Sequence, residues 1–292
     1  MKKTSRTLLA GLTMLLFLGA SQAADCDDPK PLRFALVPLK NASSQLAEYR
    51  PLIQVLEKAL ERRVEIVQAA SYGAVVEGLL AGNIDLAELG PASYAQAKDR
   101  DAGITAFASF KKRGGPHTDP GAHYHSLLIV RRDRTFGGIG GLRGASVSLI
   151  DPASTSGALV PRHALTQITG VSLEQYFGRV TFAGSHDRAI QSVQKRVVDA
   201  AFVSSSRLDE ALRLGKLGAD EVEVLWKSAP IPYDPFVYRG RLCQPLIERI
   251  KLAFFQENAA LQAMFREINV EGVVRVNDAH YREIRALYAN RP

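Results

Sequence analysis

Short apolar runs alternate with helix-length segments along most of this 292-residue chain, and that rhythm restricts the fold more than any composition figure does. Leu32-Arg-Phe-Ala-Leu-Val37, Val64-Glu-Ile-Val67, Ile84-Asp-Leu-Ala-Glu-Leu89 and Ile104 to Phe110 read as strands. Between them lie helices over Pro51 to Arg62, with Leu52, Leu56 and Leu60 on one face, over Tyr72 to Ala81, and over Pro91 to Lys98. Proline suits the opening of the first, and Gly82-Asn83 ends the second. Strands separated by helices of this length predict an α/β domain around a largely parallel sheet.

The rhythm breaks at 111–123, where Lys-Lys-Arg-Gly-Gly-Pro-His-Thr-Asp-Pro-Gly-Ala-His clusters turn-forming residues, a boundary loop. It resumes with strand Ser126 to Arg131. The glycine-rich stretch Gly137 to Gly144 enters a strand rather than a helix, so no helix N-terminus is there to hold phosphate, and it reads as a linker turn. Strands follow over 145–150, 180–183, 197–203 and 222–226, with helices over 158–168, 186–196 and 208–214, the last capped by Ser204-Ser-Ser206. Ile231-Pro-Tyr-Asp-Pro235 is a second boundary. After a short strand, Phe236 to Tyr238, the segment from Leu246 to Tyr288 reads mostly as amphipathic helix. Two α/β units joined by two crossings, with the C-terminus returning to the first, is the economical layout. A cleft between two such units is where ligands usually lie.

Residues 1–23 stand apart. Lys2, Lys3 and Arg6 precede an apolar run, Leu8 to Leu18, too short to span a membrane, and Ser21-Gln22-Ala23 supplies small residues for cleavage before Ala24. This predicts a signal peptide and an exported protein. Asp25 before Cys26 argues against a lipoprotein. Removing the three basic residues of that segment lowers the formal charge from +7 to +4 (37 less 3, against 30 acidic residues), and Lys111-Lys-Arg113 and Arg131-Arg132 are far from the dense basic stripes that nucleic acid requires. The two cysteines, Cys26 and Cys243, lie near the two ends of the mature chain. In an oxidising compartment such a pair bridges, tying both ends into one domain, or else each is a buried thiol.

One stretch invites chemistry: Asp151-Pro-Ala-Ser154-Thr155-Ser156-Gly157-Ala-Leu-Val-Pro161. Three consecutive hydroxyls at a strand-to-helix junction stand beside the unpaired N–H groups of a first turn, where the helix dipole favours an anion. The plainer alternative is a capped helix. Ser154 or Ser156 with His186 and Asp199 or Asp234 has the residue types of a hydrolase, without a Gly-x-Ser-x-Gly elbow. His117, His123 and His125 could hold a metal, or be solvated loop histidines. Tyr72, Tyr94 and Tyr124 sit near strand ends or helix starts, where a phenol can donate to an oxyanion, Tyr94 fitting a packing role as well.

In Asp151 to Pro161, and in Asp85-Leu-Ala-Glu-Leu-Gly90, His123-Tyr-His-Ser-Leu-Leu-Ile-Val130, His186-Asp187 with Val198-Asp199, and Leu225-Trp-Lys-Ser-Ala-Pro-Ile-Pro-Tyr-Asp-Pro235, the chain resembles the periplasmic solute-binding proteins of phosphonate and phosphite ABC importers. The resemblance implies an α/β, two-lobed, type II (Venus-flytrap) binding protein with two hinge crossings: residues 24–122 plus 232–292 as one lobe and 123–231 as the other. It implies a periplasmic, monomeric non-enzyme without cofactor or metal. Its ligand would be a small phosphorus oxyanion held by Tyr72, Tyr124, Ser154, Thr155, Ser156, His186 and Asp234, and its partner an inner-membrane ABC permease. A cage of neutral donors and a helix N-terminus would stabilise the anion. Ser206 stands where such proteins can carry an acid for a ligand ammonium, which implies phosphite or methylphosphonate over an aminoalkylphosphonate. Asp234, facing the anion, would accept a proton from a P–OH group, or merely cap its turn. An oxyanion sensor signalling to a membrane kinase is the alternative of another class.

Overall fold

The computed structural model describes residues 26–290, so the expected signal peptide, 1–23, lies outside the described residues. The first run comprises β1 (Leu32–Leu36), α1 (Ala42–Leu60), β2 (Val64–Gln68), α2 (Tyr72–Leu80), β3 (Leu86–Glu88), α3 (Pro91–Arg100) and β4 (Thr105–Lys112). The middle comprises β5 (His123–Tyr124), β6 (Ser126–Arg131), β7 (Ser146–Leu149), α4 (Val160–Thr169), α5 (Leu173–Tyr176), β8 (Arg179–Phe182), α6 (His186–Gln194), β9 (Ala200–Ser204), α7 (Ser205–Arg213) and β10 (Val222–Lys227). The chain then returns through β11 (Ile231–Pro232), β12 (Pro235–Tyr238), α8 (Gln244–Phe255), α9 (Ala259–Glu267), β13 (Val270–Arg275) and α10 (Arg282–Ala289). None of these helices is long and apolar enough to cross a membrane.

Two sheets result, one per lobe: β13-β4-β12-β3-β1-β2 from the outer runs and β10-β6-β9-β7-β8 from the middle. Between them the two crossings pair antiparallel, Tyr124 opposite Ile231 and His123 opposite Pro232. The sheets are mixed, not largely parallel. β12 runs against β3 and β4, and β6 runs against β9 and β10. Each is the first strand after a crossing. A strand entering its lobe from the hinge starts where its neighbours end, so it must run the other way.

Two local expectations need correction. The first helix starts at Ala42, not Pro51, because Asn41 caps it, its side chain accepting from Ser43 and Ser44 N–H. Pro51 sits inside. The C-terminal region, expected to be mostly helix, holds α8, α9 and α10 but also a strand that the sequence reading missed: Val270–Arg275 adds β13 antiparallel to β4. It begins with Val270 buried against the core and Glu271 exposed.

Cys26 and Cys243 form a disulfide. It joins the segment before β1 to the N-cap of α8 in the six-stranded lobe, where Asp27 also pairs with Arg239. In the core of this lobe Phe34, Phe110 and Phe254 all pack against Phe236. A second apolar cluster runs from Val75 and Ile84 in this lobe to Ile150 and Ile190 in the other. Burial on that scale is what brings the lobes face to face.

Candidate functional site

The hydroxyl stretch leaves β7 and opens α4. Ser154 is an N-cap: its Oγ accepts Gly157 N–H at 3.1 Å, and Thr155–Leu159 form one wide helical turn before α4, with Pro161 in its first turn. Gly157 is required there, since a Cβ would stand 2.1 Å from Ile150 Cγ1. The same stretch grips the opposite lobe. Asp151 Oδ2 accepts Tyr72 N–H at 3.1 Å, at the start of α2. Thr155 Oγ1 accepts Ala92 N–H, and Ala153 carbonyl accepts Ser93 Oγ, both in the first turn of α3. The approach is close enough that a Cβ on Gly90 would lie 3.3 Å from Thr155 Oγ1. Two helix N-termini of one lobe are thus satisfied by side chains of the other.

Behind this grip is a cavity lined by Tyr72, Tyr124, Ser154, Thr155, His186 and Asp234, six of the seven residues the sequence singles out. It is small, about 10 Å³ as traversed by the centre of a water-sized sphere. The seventh, Ser156, is buried within the same turn, and its hydroxyl neighbours the Tyr124 phenol. Among the described residues, three buried side-chain polar atoms have no hydrogen-bond partner: Tyr72 Oη, Ser156 Oγ and Arg207 Nε. A buried donor without a partner is destabilising and rare in native proteins. Tyr72 and Arg207 line the cavity, and Ser156 lies in the turn beside it.

Electrostatics agree with that. His186, at the first position of α6, accepts Ser204 N–H on Nδ1 at 3.1 Å, so the neutral ring carries its proton on Nε2. Burial, helped by the Arg207 charge, lowers its pKa to about 3. Burial likewise pushes the Tyr72 and Tyr124 phenols well up, with Asp234 adding to both. Burial and the nearby Glu88 push the Asp234 carboxyl well above the usual carboxylate range. Glu88, at the end of β3, accepts the Tyr49 hydroxyl and is itself raised by burial to about 7. Lys112, donating to Ile268 carbonyl, is lowered by burial to about 8. The shift on Asp234 favours a carboxyl that keeps its proton and can donate it into the cavity.

Several candidates do not come together. Asp199 accepts Ser146 N–H and Oγ–H and pairs with Arg134. His186, with Nδ1 occupied and its pKa depressed, is a poor base, so no Ser-His-Asp triad assembles. Tyr94 donates to Asp278 Oδ1 and stacks edge-on with Tyr281, a packing role. His117 pairs with Asp209 and His125 with Asp119. Among the described residues no group of three or more His, Cys, Asp or Glu could hold a metal ion.

The sequence reading missed Arg207, Ser204 and Tyr233, which also line the cavity. Arg207 changes its character, for the expected cage of neutral donors contains a fixed guanidinium. The signal was a basic residue in the first turn of α7, just after the hydroxyls Ser204 to Ser206.

Comparison with known proteins gives a consistent picture. The family model for the periplasmic substrate-binding protein of phosphonate ABC transporters matches residues 34–281. A phosphate-import protein, PhnD, of Mycolicibacterium smegmatis is 33% identical over 277 residues, covering 88% of this chain and 84% of that protein. The fold is that of a binding-protein component of an ABC phosphonate transporter from Pseudomonas aeruginosa, with a TM-score of 0.79 at 23% identity over 89% of this chain and 86% of that one. It is also that of PhnD1 from Prochlorococcus marinus in complex with methylphosphonate, with a TM-score of 0.77 at 19% identity over 88% and 96%.

Proposed function

The chain belongs to the periplasmic substrate-binding proteins of phosphonate ABC transporters, and on that premise we propose that it captures a small phosphorus oxyanion and delivers it to an importer's permease in the inner membrane. The ligand class is phosphite, methylphosphonate or a related small phosphonate. The observation that carries this is the convergence of unpartnered donors. Tyr72 Oη, Arg207 Nε and, in the adjoining turn, Ser156 Oγ are buried without partners, and His186 Nε2–H and the Asp234 carboxyl join them at one small cavity. Such a donor set stabilises an anion far better in a dry, enclosed space than in water. Residues 24–122 with 232–292 act as one lobe and 123–231 as the other, closing on the ligand because only the closed state completes its contacts. Cys26 and Cys243 are joined, so a thiol site for arsenite is not on offer.

A thermal-shift panel of phosphite, phosphate, methylphosphonate, 2-aminoethylphosphonate and sulfate tests this. A true ligand at a hundred times its Kd stabilises by about 2.7 kcal/mol. A panel in which no phosphorus oxyanion raises the melting temperature sinks the proposal.

A further inference from the structure

We propose that Arg207 is itself a ligand-binding residue, donating from Nε to an acceptor oxygen of the bound anion, and that it ties that anion to lobe closure through Glu210 and Lys40. The inference rests on the anion-binding reading above and extends it to a residue outside the hydroxyl stretch. Arg207 is buried in the first turn of α7 and lines the cavity. Its Nη2 donates to Asp187 Oδ1 at 2.9 Å and its Nη1 to Glu210. Both ends of the planar guanidinium are therefore fixed, which leaves Nε–H buried, immobile and without a partner. Around it Ser204, the N-cap of α7, makes no capping bond to the helix and shares its hydroxyl with Ser206 at 2.9 Å. The first turn of α7 and Nε together form a donor surface on which an oxyanion replaces the missing partner.

Glu210 does more than hold Arg207. It also accepts Lys40 Nζ at 2.6 Å, and Lys40 comes from the opposite lobe, where it pairs with Glu48. Both Lys40 and Arg207 are almost fully buried. Closing the lobes places Lys40 on Glu210, and Glu210 sets the guanidinium that meets the ligand. A ligand ammonium at this end would face a like charge, so the position selects acceptors over amines.

Arg207→Lys keeps a cation between Asp187 and Glu210 but removes Nε. Isothermal titration with phosphite, phosphate and methylphosphonate should show affinity weakened about tenfold or more, since a hydrogen bond to a charged group is lost, at an unchanged ligand-free melting temperature. Should that variant lose ligand-free stability, the Asp187→Asn/Arg207→Gln pair removes the guanidinium and the Asp187 charge together, leaves Glu210 paired with Lys40, and is expected to show the same loss. Lys40→Gln should speed ligand dissociation in wild type and do so less in the Arg207→Lys background; an equal effect in both would overturn the coupling. A wild type that binds none of the three anions fails the parent reading. A wild type that binds, with Arg207→Lys binding equally well, overturns the role of Arg207 alone.

Discussion

Thr155 accepts the backbone N–H of Ala92 at 2.8 Å across the two lobes, so one of the three hydroxyls expected to hold a ligand also holds the lobes together. The hydroxyl can still donate its own proton elsewhere. Thr155→Ser, which keeps the acceptor, is expected to resemble wild type. Thr155→Val leaves the buried Ala92 N–H unpaired and should lower ligand-free stability by about 1–3 kcal/mol as well as affinity. Denaturant unfolding with and without ligand separates the two effects. A Val variant with full ligand-free stability would mean the contact is dispensable.

Ser156 should behave in the opposite way. Its Oγ is buried without a partner, so Ser156→Ala relieves an unmet donor in the ligand-free protein and removes a met one in the complex. Ligand-free melting temperature should hold or rise, while affinity falls about tenfold. A drop in both would place the hydroxyl in the fold rather than in the site.

Asp234 should make anion choice depend on pH. Its raised pKa means the carboxyl is protonated, a donor, below that pKa and a repelling carboxylate above it. Sulfate binding to wild type should therefore strengthen as pH falls, whereas phosphite can supply the shared proton itself. In Asp234→Asn the amide donates at every pH, and sulfate affinity should flatten. Identical sulfate profiles for the two proteins, measured from pH 5 to 8, would assign Asp234 to its turn alone.

Glu88 governs stability against pH more than binding. Its folded pKa, about 7, lies above its ordinary 4.5, so the native state holds a proton that the unfolded state has released between those values. The contribution of Glu88 to stability is then full below about pH 4.5 and is lost as pH rises through about 7. Glu88→Gln, which still accepts from Tyr49, should remove that part of the fall. Melting curves of both proteins from pH 4.5 to 8 check it; parallel curves would show that Glu88 is ionised throughout.

The disulfide joins residues 217 apart. Replacing Cys26 and Cys243 with serine should lower stability by about 2–4 kcal/mol, chiefly by freeing the unfolded chain. Ligand affinity should stay within error, since both cysteines lie in the six-stranded lobe away from the cavity. Weakened binding at full stability would point to an effect on closure instead.

Much of the site was legible because its residues are local in sequence. Ser154 to Ser156 lie on one turn, and Tyr72 and His186 each start a helix, so strand ends and caps locate them. The contacts made across the lobes were not legible. Nothing in the sequence says that Asp151 meets Tyr72 N–H, or that Thr155 meets Ala92, because those pairs are 79 and 63 residues apart and lie on different lobes. Arg207 was missed for a related reason: its place at the cavity depends on Asp187 and Glu210, which hold its two Nη groups. In the fold, β12 and β6 show the same limit. Their apolar runs announce strands, but their direction is decided by where the chain crosses.

The ribbon formed by the two crossings carries Tyr124 on one strand, and Asp234 follows two residues after the other. These two belong to the axle and not to the jaws. Any rotation that opened the protein about that ribbon would draw Tyr72 away from Asp151 and Ala92 away from Thr155, yet leave Tyr124 beside Asp234. The landing place for an arriving anion would thus survive in the open molecule, already assembled, and closure would add the walls to a floor that never moved.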